Sequence, residues 1–156
     1  MNNHQERATA LFKEGYNCAQ SVFAAYSEDL GIPFDTALKL SAPFGGGMGR
    51  MREVCGAVTG MFMVIGMKYG YSDPKDMKVK TEHYKLVQNL AQKFKEQNSS
   101  IICKDLLGLS KPEGSPVPQE RTDSYYKKRP CVEMVRSAAE ILDEYLNKDE
   151  LKQSDN

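Results

Sequence analysis

Cys131-Val132-Glu133-Met134-Val135-Arg136-Ser137-Ala138-Ala139-Glu140-Ile141-Leu142-Asp143-Glu144-Tyr145-Leu146 is the stretch that decides the fold class. Val132, Val135, Ala139, Leu142 and Leu146 recur at three- and four-residue intervals, the spacing that aligns side chains on one face of an α-helix. Met134, Ala138, Ile141 and Tyr145 make a second apolar row beside the first. A surface this wide suits a central helix or a subunit contact, so the pattern predicts a buried helix and a face for a homodimer. Pro130 fits its first position, where a missing N–H leaves nothing unpaired.

The same periodicity runs upstream, and no segment alternates like a strand between hairpin turns. The chain is therefore predicted to be all-α, a single helical bundle of about five to six helices. A first helix is expected over about residues 5–14, with Ala8, Leu11 and Phe12 inward and Gly15 as its stop. Asn17 caps a second that carries Ala19, Val22, Phe23, Tyr26 and Leu30 and ends at Gly31. Asp35 starts a short helix to about Ser41, which Pro43 and Gly45-Gly46-Gly47-Met48-Gly49 interrupt. An apolar helix follows from about Met51 to Lys68. Next comes one begun by Asp73 or Asp76, with Val79, His83, Leu86, Leu90 and Phe94 in its stripe. Ser99 or Ser100 caps a short turn holding Cys103, and residues 110–124 read as a long loop. The domain is taken as residues 1–147, with 148–156 a charged, frayed tail.

A chain of 156 residues can bury a core without disulfide staples. Its 21 basic and 21 acidic residues give zero net charge, so nothing in the bulk electrostatics draws it to nucleic acid or an anionic membrane. The apolar run Val54 to Met67 is interrupted by glycines and falls short of the roughly 20 residues that span a bilayer. With no apolar signal segment at its start, the chain is expected in the cytoplasm.

In that reducing setting Cys18, Cys55, Cys103 and Cys131 are catalytic, metal-bound or core residues rather than a disulfide framework. Each falls where a helix is predicted to begin. There, unpaired N–H groups and the positive end of the macrodipole favour a thiolate. Arg50 and Arg52 precede Cys55, and Lys127-Lys128-Arg129 precede Cys131, adding cations that act the same way. Against this stands the tendency of free cysteine to pack as a small hydrophobe. The separations of 37, 48 and 28 residues contain no C-x-x-C pair, hence no zinc ribbon or thioredoxin motif. A bundle can still gather one thiolate from each of several helices, and four would suit zinc or an iron–sulfur cluster. Without C-x-x-C-H, covalent c-type haem attachment is not expected.

Gly56 and Gly60 lie one turn apart and admit either a neighbouring helix or a ligand close to the backbone, with helix packing the stronger reading. Gly45, Gly46, Gly47 and Gly49 lack the Gly-Lys-Ser/Thr ending of a phosphate loop. Their amides are expected to line a pocket over Cys55. These six glycines are the ligand-facing candidates. His83 reads as a packing residue, and His4 is given no role.

Cys55-Gly56-Ala57-Val58-Thr59-Gly60 is a CGAxxG motif, preceded by Asn17-Cys18-Ala19-Gln20 and followed by Cys103 and Cys131 in order. Over nearly its whole length the chain thereby resembles the C_GCAxxG_C_C family of redox-active proteins. The resemblance implies a small helical protein of redox role, an oxidoreductase if an enzyme, often encoded near transporter genes and partnered by a transporter or redox protein. The family is also similar to part of a split-Soret cytochrome, whose haem attachment motif is missing here. Two readings result. One is a four-cysteine centre for thiol/disulfide or metal-dependent electron chemistry. The other is a transporter-associated interaction protein whose cysteines are buried apart.

Overall fold

The computed structural model describes residues 3–111 and 114–156. Among them are eight α-helices: α1 His4–Glu14, α2 Cys18–Ala25, α3 Phe34–Ser41, α4 Gly56–Tyr69, α5 Met77–Asn98, α6 Cys103–Leu106, α7 Asp123–Lys128 and α8 Cys131–Ser154. A 3-10 turn, Ala42–Phe44, extends α3. No helix of the described residues is long and apolar enough to cross a membrane.

The centre is built by the two helices whose sequences are apolar on every side. In α2, Ala19, Ser21, Val22, Phe23, Ala24 and Ala25 are all buried, and α4 buries Gly56 through Met61 together with Val64 and Ile65. Helices of this kind need neighbours all round. They find them in each other and in α1, α3, α5 and α8. The close approach of α4 to α2 depends on its two glycines. A Cβ on Gly60 would lie 2.9 Å from the Ala19 carbonyl oxygen, and one on Gly56 3.0 Å from the Ala19 nitrogen.

Helix α8 packs against α1, α2, α4 and α5, which cover both of its apolar rows within the chain. Met134, Ala138 and Ile141 of the second row are buried there, so that row no longer calls for a second subunit. The helix continues through Ser154, and Asp149 accepts a hydrogen bond from the Tyr69 hydroxyl at 2.7 Å, tying the charged end to α4.

Several local expectations differ in detail. Helix α2 ends at Ala25, and residues 26–31, Gly31 included, form turns. The reason is tertiary: Tyr26 turns fully inward, and its hydroxyl donates to the Ala139 carbonyl at 3.0 Å and to Asp143 at 2.9 Å. Pro33 rather than Asp35 occupies the cap of α3, with Asp35 in the first turn. Helix α4 starts at Gly56, not Met51, because residues 46–52 hold several left-handed conformations that no α-helix accommodates. Helix α7, at the end of what read as loop, begins at the Thr122 cap, whose side chain accepts from the Tyr125 N–H. His4 is not a loose terminal residue. It stacks on Tyr26 with ring centroids 4.0 Å apart, and its two nitrogens meet Asp143 at 2.7 Å and Asp29 at 2.6 Å.

Candidate thiol site

Each cysteine stands at the start of a helix. Cys18 opens α2 behind a capping box in which Asn17 accepts from the Gln20 N–H at 2.9 Å and donates its own N–H to the Gln20 side chain at 3.1 Å. Cys55 is the cap residue of α4, Cys103 opens α6, and Cys131 opens α8 directly after Pro130. Two of these starts are stitched together by an antiparallel bridge between Val54 and Ile102. The Cys55 N–H donates to the Ile101 carbonyl at 2.8 Å, and the Cys103 N–H to the Glu53 carbonyl at 2.6 Å. The α2–α4 crossing places Cys18 beside this pair, since a Cβ on Gly56 would come within 3.1 Å of the Cys18 Cβ.

All four cysteines line one cavity of about 280 Å³. Gly45, Gly46, Gly47, Gly49 and Gly56 line it as well, together with Arg50, Arg52, Arg121 and Arg129. Gly60 does not; it lies against Ala19 and Val22. His83 is outside too, edge-on to Tyr71.

The glycine-rich segment is folded back on itself. Gly46, Gly47 and Gly49 have positive φ, and so do Met48 (67°), Arg50 (66°) and Arg52 (61°). Left-handed backbone at non-glycine residues costs roughly 1–3 kcal/mol each. Backbone bonds from Arg50 to Gly45 (3.2 Å), Arg52 to Gly46 (3.2 Å) and Glu53 to Gly47 (2.9 Å) help hold the coil. Gly47 is required sterically: a Cβ there would meet the Cys103 Cβ at 2.6 Å.

This coil redirects the arginines. Arg52, three positions before Cys55, is buried and points Nη1 at the Cys103 sulfur, 3.6 Å away. Arg50 donates to the Ser115 and Val117 carbonyls, pinning the Pro116–Gln119 segment over the cavity. The expectation that Arg50 and Arg52 activate Cys55 is therefore corrected. Burial pushes the Cys55 thiol up to about 12, although the Ala57 and Val58 amides pull the other way. Its sulfur makes no formal cap hydrogen bond. Cys103 is also raised, burial outweighing Arg52.

Cys131 behaves differently. The neighbouring Cys18 thiol, followed by the charges of Arg129, Arg121 and Arg52, holds it below the usual thiol range against the opposing effect of burial. Cys18 is raised well above that range, first by Cys131 and then by burial. All four cysteines are free, but Cys18 and Cys131 are half-buried whereas Cys55 and Cys103 are buried. The two less buried thiols are thus also the two that act on each other most strongly. Among the described residues no three His, Cys, Asp or Glu side chains come together as a metal-binding group.

Arg121 is the member of the site that sequence reading missed, because nothing in its loop marks it. It donates to the Phe12 and Tyr16 carbonyls at 2.9 and 3.0 Å, and stacks on the Phe12 ring 4.2 Å from the centroid.

The pattern of the family described as "Putative redox-active protein (C_GCAxxG_C_C)" matches residues 16–145, a span that contains all four cysteines. The chain belongs to this family. A protein of Archaeoglobus fulgidus, described as an uncharacterized protein, is 30% identical over 145 residues, covering 88% of this chain and 89% of the relative. No solved structure matches the chain.

Proposed function

We propose that this member of the C_GCAxxG_C_C family is a thiol–disulfide redox protein in which Cys131 is the attacking thiolate and Cys18 the resolving thiol. The observation that carries the reading is that the Cys18 and Cys131 thiols are interacting neighbours on the wall of one arginine-lined cavity. Cys131 attacks one sulfur of a substrate disulfide RSSR, forming Cys131–S–S–R and releasing RS⁻. The released thiolate, or water, takes the Cys18 proton. Cys18 then attacks the Cys131 sulfur and expels the second RS⁻. The protein has lost two electrons to become the Cys18–Cys131 disulfide, and RSSR has been reduced to two thiols. Run in reverse, the same steps oxidise a dithiol substrate.

Cys55 and Cys103 are assigned to the cavity wall as protonated thiols. The glycines from Gly45 to Gly49 and Gly56 keep the backbone close enough for substrate to reach the sulfurs. A cytoplasmic setting agrees with four free thiols. Convergence on one cavity supports this chemistry over an interaction protein with separately packed cysteines. A pair of interacting thiols, without a third ligating side chain gathered to them among the described residues, supports dithiol exchange over a zinc or iron–sulfur centre.

The test is a redox titration against oxidised and reduced glutathione, with disulfides mapped by mass spectrometry. A Cys18–Cys131 link should form first, and Cys18→Ser should trap a mixed disulfide on Cys131. Formation of any other pair first, or of none, overturns the assignment.

A further inference from the structure

Among the described residues the lining of the cavity is one-sided in charge. The chain carries equal numbers of acidic and basic residues. Yet Arg50, Arg52, Arg121 and Arg129 line the cavity with no Asp or Glu among the described lining residues. Arg121 spends its hydrogen bonds on two main-chain carbonyls, and Arg129 bonds the Gln119 amide and sits over the Tyr125 ring, 5.0 Å from its centroid. These partners are neutral, so they fix the guanidinium groups without cancelling their charge. Stacking on aromatic rings also holds each fork in one orientation, the condition under which arginine recognises a planar carboxylate or a sulfonate. The N-termini of α2 and α8 face the same space and add to the positive potential.

Size limits the ligand as charge does. At about 280 Å³ the cavity lies just below the usual range for small-molecule sites. It suits a compact metabolite rather than a dinucleotide. We propose that the substrate is a small disulfide bearing a carboxylate or sulfonate, with the acidic group held by Arg121 and Arg129 and a sulfur presented to Cys131. This rests on the thiol–disulfide reading above and names the substrate class for that site. The exchange is the one already written, with R an acidic organic group and the leaving species its thiolate.

The experiment compares three disulfides of similar length on the reduced full-length protein: dithiodipropionate (anionic), bis(hydroxyethyl) disulfide (neutral) and cystamine (cationic). The rate of Cys131 modification is followed by mass spectrometry. Each rate is divided by that of the same probe with free thioglycerol, which removes differences in leaving-group acidity. The anionic probe should exceed the cationic one by about tenfold or more at low salt, and the ratio should shrink in concentrated salt. It should also fall towards one in Arg129→Gln and Arg121→Gln. Because both arginines act on Cys131 itself, the ratio of probes rather than any single rate is the readout. Arg121 also braces α1, so if its variant does not fold, Arg129→Gln and the salt dependence of the unmodified protein carry the test. Equal normalised rates with Cys131 labelled by all three probes would overturn the anion preference and leave the thiol reading intact. If Cys131 is not modified even by the neutral probe, the thiol reading falls and this inference falls with it.

Discussion

Reactivity at the two helix starts, Cys55 and Cys131, provides a quantitative test. Burial holds Cys55 at about 12, while Cys131 lies below its ordinary value. At pH 8 the thiolate fraction of Cys55 is then about 10⁻⁴, against at least ~0.2 for a thiol at or below ~8.5. That difference alone favours Cys131 by about three orders of magnitude. The more basic thiolate is the stronger nucleophile, and a Brønsted slope of ~0.4–0.5 over ~3.5 pH units returns about 25- to 60-fold. The net expectation is that Cys131 reacts at least about 30-fold faster than Cys55, before the burial of Cys55 slows it further. The assay is brief alkylation with iodoacetamide across a pH series, quenched and read site by site by mass spectrometry. The Cys131 profile should have its midpoint below that of the unfolded chain. In Cys18→Ser that midpoint should move, because the leading stabilisation of the Cys131 thiolate comes from the Cys18 thiol. Cys55 reacting as fast as Cys131 in folded protein would refute the reasoning, because it would mean the buried α4 start is open to solvent.

Other parts of the structure give separate expectations. Gly60→Ala forces a methyl against the Ala19 carbonyl, and overpacking of this kind costs about 1–3 kcal/mol; the urea midpoint should fall with an unchanged slope. His4 would be lowered by burial alone, but Asp143 and Asp29 together hold it above 6.5. Its contribution to stability is therefore fully present below about pH 6.5 and is lost as pH rises through the higher folded-state value. The unmodified protein should lose more melting temperature between pH 6 and pH 8 than His4→Ala does; an equal loss in both would remove the assigned coupling. Ile141 is buried within the chain, so Ile141→Asp should unfold the protomer, as judged by circular dichroism. A folded variant that merely lowers the mass measured by light scattering would instead place Ile141 at a subunit contact.

Much of the scaffold was legible because its signals are local. The 3–4 spacing of α8, the Asn17 cap of α2 and Asp76 before α5 act over a few residues, and each does in the structure what its chemistry dictates, while Pro130 stands at the cap of α8, one place before the helical position expected for it. The positions of all four cysteines at helix starts could be read for the same reason. Helix α7 could not, since six residues without an apolar stripe carry little beyond the Thr122 cap. Nor could His4, whose partners lie 25 and 139 residues away.

By itself, then, the sequence determined an all-α chain with a thiol at the head of each of four helices, because caps and helical periodicity are written within one or two turns. Which thiol meets which charge was decided only by tertiary structure. Arg52 is three residues from Cys55 in the chain, yet it serves Cys103, because left-handed backbone turns it away and the Val54–Ile102 bridge brings Cys103 to it. Cys18 and Cys131 are more than a hundred residues apart. They meet because α1, α2 and α8 pack on one core and bring the starts of α2 and α8 to one cavity. The strength of a thiolate depends on fields that fall off over a few ångströms, and those distances are set by the packing of whole helices.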